Sequence, residues 1–183
     1  MPGFCKLCNS SKIDGYFVAK GYEIFKCCDC GLLFLDSGGI DSEKLYSEAY
    51  FKGAVYSDYI REMSFMKGEL KSRLGLLNRH LPSRGKLLEI GCAAGFFLKT
   101  AKDDGWDVKG IEVSDYAARF GRTQLGLDIK CSDIDSFEPE LEKFDAVVMW
   151  DVIEHLKDPF RLIRKVNSII RPGGALFVST GDI

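Results

Sequence analysis

The chain has 183 residues, of which 46% are hydrophobic and 28% charged, and a formal net charge of −2. That profile fits an ordinary globular protein of one domain plus a small appendage, and it argues against a broad electrostatic surface for nucleic acid. No apolar run reaches bilayer-spanning length and the first residues lack the regions of a secretion signal, so the expected setting is cytoplasmic, without a membrane partner.

The N-terminal stretch is dominated by cysteine. Five of the seven cysteines fall in the first thirty residues, as Cys5-Lys6-Leu7-Cys8 and Cys27-Cys28-Asp29-Cys30-Gly31. Two C-x-x-C knuckles can offer four thiolates to a tetrahedral Zn²⁺, and Cys5, Cys8, Cys27 and Cys30 keep the required spacing. Cys28 breaks that spacing. Two disulfides are the competing reading, but the lack of a secretion signal weighs against them. Gly15 to Phe25 predicts a hairpin between the knuckles, completing a zinc-ribbon module over residues 1–36. Cys92 and Cys131 are expected to be small packed residues.

Asp36-Ser37-Gly38-Gly39 reads as a break, followed by an aromatic segment with Tyr46, Tyr50, Phe51, Tyr56 and Tyr59. From about Ser57 to His80, Ile60, Met63, Leu70, Leu74, Leu77 and Leu81 recur at three- and four-residue spacing, which predicts an amphipathic helix halted before Pro82. Its expected role is to cover one face of a sheet. Residues 37–84 thus form a connecting segment ahead of a third section, 85–183.

In that third section strand and helix patterns alternate. Strands are predicted at Lys86–Ile90, Asp107–Glu112, Ile129–Ser132, Phe144–Trp150 and Ala175–Ser179. Helices are predicted at Phe96–Asp103, from an N-cap at Ser114 through Leu125, and from Asp158-Pro159 up to Pro172-Gly173-Gly174. Phe160, Ile163, Val166 and Ile170 would face inward on the last of these. The fold class is therefore α/β: a doubly wound, Rossmann-like parallel sheet preceded by a small zinc ribbon.

Ligands in such sheets bind beyond the carboxyl ends of the strands. The segment Leu87-Leu88-Glu89-Ile90-Gly91-Cys92-Ala93-Ala94-Gly95 reads as strand and glycine loop, opening the helix that begins at Phe96. A dinucleotide fingerprint would need glycine where Ala93 and Phe96 stand, so that pattern fails. Glu112 ends the second strand 21 positions after Gly91, where an acid can accept both hydroxyls of a ribose. Asp133 follows the third strand; it either contacts a base or caps the following turn.

The acid-x-Gly-x-x-x-Gly loop resembles motif I of the class I S-adenosylmethionine (SAM)-dependent methyltransferases. Glu154-His155-Leu156-Lys157-Asp158-Pro159 resembles the run that follows their fourth strand. With the knuckles added, the chain looks like the zinc-ribbon-bearing methyltransferases that include deoxysugar C-methyltransferases. The resemblance implies SAM as cofactor, with Gly91, Cys92, Ala93 and Gly95 under its methionine part and Glu89 near the amino group. It implies Glu112 and Val113 at the ribose, Asp133 and Ile134 at the adenine, and Trp150 at the same site. His155 is either a general base for the acceptor or a scaffold residue. Asp151-x-x-Glu154-His155 also has the spacing of a divalent-metal site proposed for some quinol O-methyltransferases.

The implied activity is methyl transfer to a small-molecule acceptor, on oxygen or carbon, with Tyr46, Tyr50 and Tyr56 as substrate-side candidates. A non-catalytic SAM-binding module whose ribbon docks a protein or RNA is the alternative. The chain stops at Ile183, just past the fifth strand, whereas the family's sheet has seven. From this we expect an incomplete acceptor pocket, weak activity, and an open sheet edge that favours homo-oligomers.

Overall fold

A computed structural model describes residues 2–35, 66–134, 136–137, 142–156 and 158–181. The aromatic segment, with Tyr46, Tyr50 and Tyr56, and the first part of the predicted long helix, with Ile60 and Met63, lie outside the described residues.

The cysteine-rich region is a three-stranded antiparallel sheet in the order β1-β2-β3. Strands β1 (Ile13–Ala19) and β2 (Tyr22–Cys27) form the expected hairpin. Lys20 and Gly21 turn the corner, with φ of 50° and 83°; two successive left-handed residues match the twist of paired strands. Strand β3 (Leu33–Leu35) pairs with the other side of β2 and was not foreseen.

Helix α1 (Lys67–His80) buries Leu70, Leu74 and Leu77, the stripe read from spacing. It ends at Leu81, whose N–H bonds to the Leu77 carbonyl ahead of Pro82. Then come β4 (Lys86–Ile90), α2 (Phe96–Asp103), β5 (Asp107–Glu112), α3 (Asp115–Leu125), β6 (Asp128–Cys131), β7 (Phe144–Trp150), α4 (Pro159–Ile169) and β8 (Ile170–Ser179). The five strands β4–β8 are parallel, in the order β6-β5-β4-β7-β8. The chain steps outward from β4 to β6 and then restarts at β7 on the other side. This reversal opens a crevice at the carboxyl ends of β4 and β7, where doubly wound sheets bind ligands.

Both faces of the sheet are covered. Successive residues of a strand point to opposite faces, so Ala146 and Val148 join one core cluster with α1 and α2, while Val147 and Met149 join the other with α4. Both helix N-caps in this section follow expectation: the Ser114 side chain accepts from the Ala117 N–H and the Asp158 side chain from the Arg161 N–H.

Three expectations need correction. Strand β6 starts at Asp128 and ends at Cys131, one residue earlier than predicted, because Asp128 already pairs with Lys109. Helix α4 buries Leu162, Val166 and Ile169; of the predicted face Val166 is buried and Ile163 and Ile170 pack partly buried on the same cluster, while Leu162 and Ile169 were not foreseen. Strand β8 starts at Ile170, which pairs with Phe144, and Pro172-Gly173-Gly174 falls within the strand, where the register against β7 shifts. Pro and Gly mark an irregularity here, not a boundary. In addition Cys131 is exposed, unlike buried Cys92.

Candidate functional site

The four cysteines of the two knuckles converge. Cys5 Sγ lies 3.6 Å from Cys30 Sγ and Cys8 Sγ 3.5 Å from Cys27 Sγ, and all four sulfurs fall within 4.8 Å of one another. A tetrahedron of Zn–S bonds near 2.3 Å separates sulfurs by about 3.8 Å, so the donor set fits that ion. The backbone N–H groups of Cys30 and Asp29 pull the Cys27 thiol down to about 6. The Ser10 N–H draws Cys8 down as well, but burial and the neighbouring sulfurs outweigh it and hold Cys8 up at about 12. Cys28 stands apart, its thiol donating to Asp14 Oδ2 at 3.2 Å.

The second site lies at the carboxyl ends of β4, β5 and β7. The loop after β4 is pinned to β5, because the N–H groups of Gly91 and Cys92 both donate to the Ile111 carbonyl, at 2.8 and 3.1 Å. Gly91 and Gly95 have φ of +70° and +83°. A Cβ on Gly91 would come within 2.6 Å of Val152 Cγ2, and one on Gly95 within 2.5 Å of Leu127 Cδ1. These glycines answer to backbone hand and to packed neighbours.

Glu112 is 5% exposed. Its Oε2 accepts from the Ala93 N–H and its Oε1 from the Ser114 N–H, each at 2.8 Å. Burial pushes its carboxyl up against the pull of those N–H groups. Each oxygen retains a second lone pair for a further donor. Ala93 takes a positive φ of 48° within this arrangement, and Val113, next in sequence, is exposed.

Glu89 is buried beside this loop, and among the described residues its Oε2 has no hydrogen-bond partner; neither does the buried Nε1 of Trp150. Burial drives the Glu89 carboxyl well above its ordinary range, Arg73 pulls it back, and Glu112 adds to the rise. Buried polar groups are almost always paired, and these two atoms belong to the neighbouring strands β4 and β7. Arg73, from α1, sits 5.0 Å over the Trp150 ring, and Phe97 meets that ring edge-on at 5.3 Å.

The remaining sequence candidates are placed as follows. Asp133 is exposed, and its two oxygens accept from the N–H and Oγ of Ser136 at 2.6 and 3.0 Å. That is the turn-capping arrangement. Ile134 packs, partly buried, on the core cluster shared with α4. His155 is exposed at the end of a 3₁₀ turn, Ile153–His155, and its N–H donates to the Val152 carbonyl at 3.0 Å. Asp151 is bound by Arg73 and Ser179 rather than grouped with Glu154 and His155.

A match to the methyltransferase domain covers residues 59–182. The chain belongs to the class I SAM-dependent methyltransferases. It is 27% identical over 159 residues to a ubiquinone biosynthesis O-methyltransferase of Coxiella burnetii, covering 80% of this chain and 64% of that protein. A second relative of the same description, from Chromobacterium violaceum, is 28% identical over 59% of this chain and 50% of its own length. The chain thus spans about half to two thirds of the relatives it matches. Among solved structures, the sugar N-methyltransferase KedS8 from Streptoalloteichus superposes with a TM-score of 0.59 at 21% identity, covering 70% of this chain and 54% of that one. The plantazolicin methyltransferase BpumL, solved with S-adenosylhomocysteine (SAH), superposes with a TM-score of 0.55 at 16% identity, over 67% and 52% of the two chains.

In this methyltransferase the sequence reading missed Arg73. Its helix was read as a cover for the sheet, which Leu70, Leu74 and Leu77 bear out. A cation lodged just before Leu74 on that stripe was the available signal.

Proposed function

We propose that this protein transfers the methyl group of SAM to a hydroxyl of a small-molecule acceptor, and that its four clustered cysteines hold a structural Zn²⁺. The observation that carries the cofactor reading is the crevice at β4, β5 and β7. It combines a glycine loop pinned to β5, a buried Glu112 with lone pairs to spare, and two buried polar atoms without partners among the described residues. On this reading Glu112 accepts the ribose hydroxyls, and Val113 lies beside them. Glu89 receives the methionine ammonium. Gly91, Cys92, Ala93 and Gly95 run beneath the methionine part, with Trp150 alongside. Asp133 and Ile134 border the adenine.

SAM supplies an activated methyl and a good leaving group, so the protein's share is alignment and proton removal. The acceptor hydroxyl must face the sulfonium in line. His155, exposed after the carboxyl end of β7, is proposed to take the hydroxyl proton. Oxygen is favoured as the acceptor atom by the likeness to ubiquinone biosynthesis O-methyltransferases.

The test is SAH formation with a panel of phenolic and sugar-hydroxyl acceptors. Turnover that falls roughly 10²- to 10⁴-fold on His155→Gln, with SAH affinity retained, is expected for a general base. Transfer only to carbon or nitrogen acceptors, or turnover unmoved by His155→Gln, would contradict it. The exposed Tyr16, Val18 and Tyr22 of the ribbon favour a second reading, in which that sheet docks a partner. SAH binding without turnover on any acceptor would move the balance toward it.

A further inference from the structure

The Asp151-x-x-Glu154-His155 run has metal-site spacing, yet its donors do not converge. Among the described residues, only the four cysteines bring three or more His, Cys, Asp or Glu ligand atoms within 4.8 Å of one another. Hard divalent cations need several oxygens at once, and those of Asp151 are already engaged. Its Oδ2 accepts from the Arg73 guanidinium at 3.0 Å and its Oδ1 from Ser179 Oγ at 3.0 Å. Its own N–H donates back to the Ser179 carbonyl at 3.1 Å. Asp151 takes a φ of +58°, a left-handed conformation that Asp adopts more readily than most residues. That conformation ends β7 abruptly with the carboxylate between α1 and β8.

Arg73 is held from three directions. Besides Asp151, it pairs with Glu69 Oε1 at 2.5 Å, one helical turn earlier, and it lies 5.0 Å over the Trp150 ring. We propose that this position is a guanidinium clamp: Asp151, set by Ser179, fixes Arg73 and with it helix α1 over the carboxyl ends of β7 and β8, and takes no divalent cation. Asp151 is then a positioning residue that acts through Arg73 on Trp150. That last step rests on the cofactor reading above; the clamp itself does not.

Two measurements on the whole zinc-loaded chain test this. Mn²⁺ titration followed by electron paramagnetic resonance should show no stoichiometric site, in the native protein or after Glu154→Gln. Amide exchange along α1 should quicken about two- to fivefold on Asp151→Asn at low salt, the effect of losing a half-exposed ion pair. High salt should shrink that gap. Asn keeps an oxygen for Ser179 and tolerates the left-handed backbone, so the variant isolates the charge. Arg73→Gln, which also frees Glu69 and Trp150, should quicken exchange at least as much as Asp151→Asn; Arg73→Lys should fall between Arg73→Gln and the native protein, and the Arg73→Gln/Asp151→Asn double variant should add nothing beyond Arg73→Gln alone. One Mn²⁺ per chain lost on Asp151→Asn, unchanged exchange, or additive effects would overturn the clamp. SAH titration on the same samples separates the two readings. A clamp signature without SAH binding refutes the cofactor reading alone.

Discussion

The cysteine-rich sheet and the parallel sheet are built on different principles. Within residues 2–35, the buried hydrophobic side chains are Cys5, Phe25 and Cys27, while Tyr16, Phe17, Val18 and Tyr22 stay exposed. The parallel sheet instead separates two core clusters drawn from its strands and flanking helices. A sheet with so little to bury cannot hold itself by burial alone. Its order is expected to come from the Zn²⁺ proposed at its four sulfurs, whereas the parallel sheet has two core clusters of its own. The comparison predicts that the two regions fail separately.

The largest expected effect is metal removal. Structural zinc in small ribbons is worth about 10–16 kcal/mol of apparent binding energy. Chelation should therefore abolish amide protection in β1–β3 and leave it intact in β4–β8. Cys8→Ser should act likewise, and Cys28→Ser should not, because its thiol is turned to Asp14 outside the cluster. Loss of protection in both sheets together would erase the distinction. The converse test is Leu98→Ala, a fully buried core position, expected to cost about 2–5 kcal/mol in denaturant unfolding of the parallel sheet. Its zinc content should not change.

Smaller still is Gly95→Ala. The left-handed backbone costs about 1–2 kcal/mol for a residue with a Cβ, and Leu127 must also move. A stability loss of that order with weaker SAH binding is expected, and no loss would mean the loop relaxes freely. Glu89→Gln should give the smallest effect, and one that depends on pH. Burial raises the folded-state value of Glu89 above its unfolded one, so the folded form binds the proton more tightly. Ionisation therefore penalises the fold as pH rises from about 4, the ordinary glutamate range, toward the raised value. Melting curves should show the Gln variant gaining on the native protein between pH 4 and 8, with the gap closing at the acid end. A gap that does not change with pH would place a partner on Glu89.

Much of this architecture was legible because local signals and tertiary structure agreed. The bounds of β4, α2, β5, α3 and β7 matched the expected ones, since period-2 and period-3.6 patterns were punctuated by glycines and by the Ser114 cap. The cysteine cluster followed from spacing alone. Elsewhere partners decided the outcome. Pro172-Gly173-Gly174 reads as a stop, yet pairing with β7 carries β8 through it. The inner face of α4 kept Val166, Ile163 and Ile170 from the stripe read from spacing but added Leu162 and Ile169. Asp133 offered two roles in sequence, and its bonds to Ser136 are those of a turn cap. Arg73 and Asp151 meet across 78 positions of chain, a contact with no local trace.

The central claim is that the crevice beside Glu112 binds SAM, and calorimetric titration with SAH tests it most directly. Native protein should bind SAH in preference to NAD. Glu112→Ala should weaken that binding by about 1–3 kcal/mol, the range for hydrogen bonds to a charged group. Unchanged affinity in the variant, or a preference for NAD, would contradict the account.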